Sequence, residues 1–428
     1  MKKTNAIIGS VASATGIFLI SLMALSCAML SLLGIETLLR PALINWQPLL
    51  PLAVFSIGVP LVLIWLALIH WRGDSGILGA VIVLSAMGLL IQFRMGSYDQ
   101  LDLKSNIFPM LPFAIGLGAF VIGVTLTAKG RGSWLQALGW GAYIAAVGVL
   151  VGMLVLGRSY RGGTYLSGNI NPTEIVKPLL VFFLATHLSQ RQKEFSETLS
   201  GIPVPPLSSL FGLVLLWGVP MALTILLRDL GLVVLLNTIL IVMLFAVAKR
   251  TGYLAIGLAG VAAAGFGLQF ISSHAQARFD VWLNPFVDPT GKGWQILQGL
   301  TAMYSGGWWG SGLGTGSPET VPIVTSDFIY AALAEEIGFV GCALLLLIYA
   351  TFFSRGFRAA GTSRTPFERL LCVGLTASLA MQTLLNLAGV TKALPMTGIT
   401  LPFISHGGSS LITCLFIAGL ICGLSDND

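Results

Sequence analysis

Residues 228–250 read RDLGLVVLLNTILIVMLFAVAKR. Leu230 to Ala248 carry no charge, and the run is closed by Arg228-Asp229 on one side and Lys249-Arg250 on the other. At about 1.5 Å of rise per residue, such a run is long enough to cross the hydrocarbon of a bilayer as an α-helix. Its apolar side chains are continuous rather than alternating, which selects a helix over a membrane β-strand. Inside lipid, only helices and closed barrels satisfy every backbone N–H and C=O.

Working outward, the same pattern fills the chain. Of 428 residues, 55% are apolar and 9% charged, and the mean hydropathy is +0.89. A soluble chain would carry about 25% charged residues, so most of this surface faces lipid. Twelve spans are expected, at 6–34, 49–71, 75–95, 107–128, 133–156, 172–189, 207–227, 229–248, 251–272, 328–354, 368–391 and 399–424. The expected fold is an all-α polytopic membrane protein. The 51 glycines suit helices that approach closely. Cys27, Cys342, Cys372, Cys414 and Cys422 lie in apolar runs without CxxC or Cys/His spacing, so they read as packing residues. The N-terminal apolar run is too long for a signal peptide and reads as a retained helix.

Charge sets the orientation. With the N-terminus cytoplasmic, inner segments hold thirteen basic residues, outer segments hold nine, and Lys177 lies within a span. Eleven of seventeen acidic residues lean outward. Both termini are therefore expected in the cytoplasm. The segment 273–327 breaks the rule of short loops, and long ordered loops in compact proteins are usually functional. It carries Arg278, Asp280, Asp288, Lys292, Glu319 and Asp327, which points to a working face outside.

Five constellations can carry chemistry. Asn171-Pro172-Thr173-Glu174 reads as a helix start, with Asn171 as N-cap and Glu174 closing a capping box. Lys177, one turn deeper, is an ion in an apolar run and hence a functional candidate; pairing with Glu174 at i,i+3 and substrate contact are both open. Arg228-Asp229-Leu230-Gly231 reads structurally, as a helix-start acid and a close-packing glycine. In the long loop, bare glycine amides with Arg278 or Lys292 could hold a diphosphate, and the plain alternative is a loop resting on lipid. Asp327 stands where this loop re-enters the membrane, as a cap or as a carboxylate whose basicity its surroundings tune. Glu335 and Glu336 lie too deep to share its reaction centre and read as anchors for cations on neighbouring helices. Finally, prolines and glycines interrupt residues 394–410, a broken backbone of the kind that lines cavities, and His406 there reads alone as a satisfied polar residue.

In this order and spacing, NPTEIVK (171–177), the RDLG turn, WLNPFVDPTGKGWQ (282–295), SGGWWGSGLG (305–314), SDFIYAALAEEIG (326–338) and LPMTGITLPFISHGGSS (394–410) resemble the SEDS family, the FtsW/RodA-type proteins. The resemblance implies a ten-helix core over residues 75–428, including the extracytoplasmic loop 273–327, preceded by an extra helix pair in residues 1–74. It implies a peptidoglycan glycosyltransferase in the bacterial cytoplasmic (inner) membrane. Such an enzyme polymerises lipid II into nascent glycan beside a class B penicillin-binding protein, with membrane lipids around it and no nucleic acid involved. Asp327 matches the family's essential aspartate and would act as general base on the acceptor GlcNAc 4-hydroxyl. Arg161, Glu174 and Lys177 match polar residues of its central cavity, and Arg278, Lys292, Gln295, Ser405 and His406 join them as substrate-binding candidates. The departing undecaprenyl diphosphate needs cationic stabilisation, from Lys177, Arg161, Arg278 or a divalent cation such as magnesium or manganese; no other cofactor or metal is implied. Departures from the family pattern are Gly162 for tryptophan, Leu227-Arg228 for Gln-Pro, Ile323 for glutamate, Ser326 for threonine and His406 for tyrosine. A flippase for the lipid-linked precursor, or a scaffold without catalysis, are the rival readings.

Overall fold

The computed structural model describes residues 2–39, 49–96, 103–160, 163–165, 171–196, 207–270 and 273–426. The chain is an all-α polytopic membrane protein. Among the described residues, eight helices are long and apolar enough to cross a membrane, and shorter apolar helices occupy Phe211–Leu226, Thr251–Gly267 and Gly408–Leu424. In chain order the helices are α1 (Lys2–Leu39), α2 (Leu50–Leu68), α3 (Ser75–Arg94), α4 (Leu103–Thr127) and α5 (Gly139–Leu156). A small antiparallel hairpin follows, β1 (Arg158–Tyr160) and β2 (Gly163–Tyr165), a departure from a purely helical expectation. Next come α6 (Thr173–Gln190), α7 (Gln192–Ser196), α8 (Leu207–Leu226), α9 (Leu230–Ala248) and α10 (Thr251–Leu268). The segment 273–327 is itself partly helical, with α11 (Ser273–Leu283) and α12 (Trp294–Gly306). The chain ends with α13 (Ile329–Gly361), α14 (Pro366–Val390) and α15 (Gly408–Leu424).

Local chemistry sets several helix starts. Asp74 accepts the Gly76 amide at 2.8 Å, Asp229 accepts the Leu232 amide at 3.0 Å, and Thr365 accepts the Glu368 amide at 3.1 Å ahead of Pro366. Each satisfies an amide that the first helical turn leaves free. The helices α3 and α14 form the centre, buried over 72% and 78% of their apolar stretches, whereas the span containing α5 is buried over 22% and faces lipid. The N-terminal pair packs on this centre, α1 against α3 and α2 against α4. Phe18, Phe55 and Phe113 link α1, α2 and α4 with ring centroids 5.7 and 6.4 Å apart.

Two spans differ from the expected ones. The last helix begins at Gly408 rather than 399, because residues 395–407 run as non-helical chain through Pro402 and a left-handed Phe403 (φ 67°). The helix expected at 328–354 runs from Ile329 to Gly361 and breaks at Gly338 (φ 67°, ψ −173°). There the stretch 307–312 docks into the break. Phe339 and Val340 amides donate to the Gly307 and Trp308 carbonyls at 2.9 and 3.1 Å, and the Glu335 and Glu336 carbonyls accept the Ser311 and Gly312 amides at 2.8 and 3.0 Å. The loop thus replaces the ladder bonds that the break removes, as buried backbone requires. Antiparallel packing gathers the starts of α6, α9, α13 and α15 and the ends of α3 and α14 at one end of the bundle.

Candidate functional site

That end is built around Asp327. Its carboxylate accepts the Ser326 hydroxyl at 2.6 Å, and its main-chain carbonyl accepts the Asn386 amide at 2.9 Å. The same Asn386 amide reaches the Ile399 carbonyl at 2.7 Å, so one α14 side chain clamps the aspartate segment to the broken chain before α15. Gln92 of α3 repeats the device from the opposite side, donating to the Thr325 and Ile404 carbonyls at 3.0 and 3.1 Å. Ser405 donates to the Ser326 carbonyl at 2.6 Å and accepts the Leu401 amide at 2.8 Å, while the His406 amide donates to the Thr325 carbonyl at 2.7 Å. Residues 325–327 and 399–406 are thereby held as one rigid unit. Irregular backbone at membrane depth is stable when its polar groups are satisfied in this way.

Arg278 of α11 lies beside the carboxylate. It donates to the Met396 carbonyl at 2.8 Å, and a Cβ on Gly398 would stand 3.6 Å from Arg278 Nη2 and 3.7 Å from Asp327 Oδ2. Gly398 (φ 74°) therefore leaves a side-chain-free floor between base and cation. Burial pushes the Asp327 carboxyl above the usual carboxylate range, and the Ser326 hydrogen bond and the Arg278 charge pull it partly back.

Behind this floor, Lys177 is 2% exposed, ion-paired to Glu174 and donating to Gln382 Oε1 at 2.8 Å. The Gln382 amide reaches the Thr400 carbonyl at 3.1 Å and the Ser410 hydroxyl at 3.4 Å, joining α6, α14 and α15. The capping box expected from Glu174 does not form. Asn171 accepts the Thr173 amide at 3.2 Å as a cap should, but the Glu174 carboxylate turns to Lys177 because a buried ammonium requires a counter-charge. Asp229 lies within electrostatic reach of Glu174, Arg278 and Lys177, so the RDLG turn borders the site as well as capping α9. Glu336 binds Arg94 of α3 at 2.7 Å, and Glu335 accepts the Ser317 amide at 2.9 Å; both hold the loop rather than the reaction space.

The structure therefore brings Asp327, Arg278, Glu174, Lys177, Ser405 and the His406 backbone into one neighbourhood. Gln295 donates to the Pro322 carbonyl at 3.1 Å and supports the approach to Asp327. Lys292 is exposed on a separate turn, its amide bound to Asp288 at 3.0 Å. Arg161, with Gly162, lies outside the described residues. Gln92, Gln382 and Asn386 were not singled out from sequence, although amides inside the apolar runs of α3 and α14 are the signal that marks them. Among the described residues no three His, Cys, Asp or Glu side chains converge as a ligand set for a divalent cation.

Fold and site together define a polytopic membrane protein of the SEDS class. The model of the FtsW/RodA/SpoVE cell cycle proteins matches residues 61–428, and the chain belongs to that family. It is 32% identical over 365 residues to the peptidoglycan glycosyltransferase RodA of Mycobacterium tuberculosis, covering 82% of this chain and 78% of that one. It is 36% identical over 280 residues to the stage V sporulation protein E of Bacillus subtilis, covering 64% and 73%. Among solved structures, a peptidoglycan synthase complex that coordinates polymerization and crosslinking matches with a TM-score of 0.64 at 25% identity, over 82% of this chain and 97% of the other. The rod shape determining protein RodA of Thermus thermophilus matches with a TM-score of 0.57 at 25% identity, over 82% and 96%.

Proposed function

We propose that this protein is a peptidoglycan glycosyltransferase that polymerises lipid II at the outer face of the cytoplasmic membrane. The observation that carries the reading is the Asp327 carboxylate, held at a membrane rim with raised basicity beside one cation and a glycine floor. Relatives that share the fold over most of its length bear the name of that activity.

In this mechanism Asp327 takes the proton of the acceptor GlcNAc 4-hydroxyl as that oxygen attacks the anomeric carbon of the donor MurNAc. The bond from that carbon to the diphosphate oxygen breaks with inversion, and the electron pair leaves on undecaprenyl diphosphate. Ser326 and the clamp from Asn386, Gln92 and Ser405 fix the carboxylate before the substrates arrive, which lowers the reorganisation needed at the moment of reaction. Arg278 is the described cation nearest the carboxylate and would face the charge that develops on the leaving group. The Lys177 ammonium is neutralised by Glu174 and tied to Gln382, so it sustains the wall between α6 and α14. A cross-linking partner, a class B penicillin-binding protein, fits the chemistry, because new glycan strands must be joined by peptide bonds. The excess of basic residues expected at the far end supports a reading with both termini in the cytoplasm and with the N-terminal pair in residues 1–74 as an addition to the ten-helix core.

Purified protein supplied with lipid II should yield glycan strands, and Asp327→Asn should lower the rate by about 10²–10⁴-fold, the usual contribution of a general base. Full polymerisation by Asp327→Asn would overturn the assignment. Translocation of the precursor across reconstituted vesicles without polymer would overturn the activity itself.

A further inference from the structure

We propose that the end of the bundle remote from Asp327 carries a binding site for an anionic phospholipid headgroup, formed by Lys129, Arg131 and Arg364 and walled by α2. A cavity of about 140 Å³ opens there, lined by Leu68 and Ile69 from the end of α2 and by Thr125, Ala128, Lys129 and Arg131 from the end of α4. The chain leaves α4 through two left-handed residues, Lys129 (φ 58°) and Gly130 (φ 69°), which set the two cations at the rim. Arg364, from the turn between α13 and α14, lies over Gly130: a Cβ there would stand 2.5 Å from its Nη1.

All three cations are exposed, and none makes a hydrogen bond or ion pair with a described residue. Glu368, whose carboxylate approaches Gly132, is buried and does not line the cavity. Two positive groups line the cavity and a third, Arg364, adjoins it over Gly130, and together they call for an anion with several acceptor oxygens, which a phosphodiester supplies. The remaining wall specifies the rest of the ligand. Leu68 of the wall is 66% exposed, and Trp134, outside the lining but three residues beyond Arg131, is 49% exposed; an apolar flank of this kind serves acyl chains rather than a free inorganic anion. Basic recesses between membrane helices hold lipid headgroups in this way. Because Leu68 and Ile69 belong to the N-terminal pair, a lipid bound here would bridge that pair to the core.

The test is retention of defined lipids by the purified full-length protein in neutral detergent, read by native mass spectrometry. Phosphatidylglycerol should be retained in preference to phosphatidylcholine. Lys129→Asn with Arg131→Gln should weaken phosphatidylglycerol binding by about 25-fold, at roughly fivefold per cation, and Arg364→Gln alone by about fivefold. Asparagine tolerates the left-handed backbone at 129, and Arg364→Gln tests the site from a separate segment should the double variant misfold. Removing two charges elsewhere at the same end, with Lys193→Gln and Arg358→Gln, should leave binding unchanged. Equal losses in both double variants would reduce the site to diffuse surface charge and overturn the proposal. Equal retention of phosphatidylcholine, or displacement of phosphatidylglycerol by inorganic phosphate, would overturn it as well.

Discussion

Gly338→Ala isolates the energetic meaning of the break in α13. At φ 67° and ψ −173°, Gly338 occupies a backbone region open essentially to glycine alone, where any other residue costs about 1–3 kcal/mol. A Cβ would also stand 2.6 Å from the Trp309 carbonyl carbon and 2.7 Å from the Trp308 oxygen, and would overlap the Gly310 amide. Forcing a methyl group into packed backbone adds about 1–3 kcal/mol. The two effects together give about 2–6 kcal/mol, unless the stretch 307–312, the strap across the break, moves away and gives up its hydrogen bonds to Glu335, Glu336, Phe339 and Val340. The reference is Gly148→Ala in α5, where an added Cβ meets nothing within 4 Å and the helix should gain about 0.5–1 kcal/mol. Thermal unfolding of both variants in the same detergent, at one scan rate because such transitions are kinetic, should place Gly338→Ala several degrees below Gly148→Ala. Coincident midpoints would refute the claim that the strap and the break form one strained, mutually satisfied unit.

Other expectations follow from the clamp and the charges. Burial raises the Asp327 carboxyl above its ordinary value near 4, so the base is lost as pH falls through that raised value, and the acid limb of kcat/KM should lie above that of an exposed carboxylate. Arg278→Gln removes a charge that holds the carboxyl down and should move this limb to higher pH; a shift to lower pH would contradict the placement of Arg278. Lys177→Met, which leaves Glu174 without its partner, should destabilise by about 3–5 kcal/mol, and adding Glu174→Gln should recover part of the loss in denaturation midpoints; strictly additive effects would argue against the pair. Gln92→Leu takes one of two donors from the Thr325 carbonyl, which keeps the His406 amide, and removes the donor to the Ile404 carbonyl, at about 1–3 kcal/mol for a buried acceptor left unpaired. It should lower kcat more than KM in steady-state polymerisation, and a change confined to KM would show that the clamp does not position Asp327.

Much of the architecture was legible before folding. The run 230–248 and its neighbours announce membrane helices because hydropathy is a local, additive property, and α9 ends within a residue of its expected bounds. Asp229 is readable as a helix-start acid for the same reason, and the structure makes it a cap on the Leu232 amide, three residues away. For Glu174 the sequence offers both a capping box and a pairing with Lys177 three residues on; the structure takes the second, because Lys177 is buried in packing that brings it to Gln382, 205 positions further along. Residues 399–407 fall within the expected last span because their prolines and glycines can be counted from sequence but their hydrogen-bond partners cannot.

The order of residues alone determined that the chain is helical, lies in lipid, and carries its ionisable groups in a few interrupted segments, because a charge left in hydrocarbon or an unsatisfied peptide group is too costly for any other arrangement. Only the tertiary structure decided that Gln92 and Asn386 grip the chain around Asp327, that Arg278 stands over Gly398 beside it, and that residues 307–312 mend the break at Gly338. Those bonds join residues tens to hundreds of positions apart, and no local pattern specifies which distant acceptor a buried donor will meet once the helices have packed.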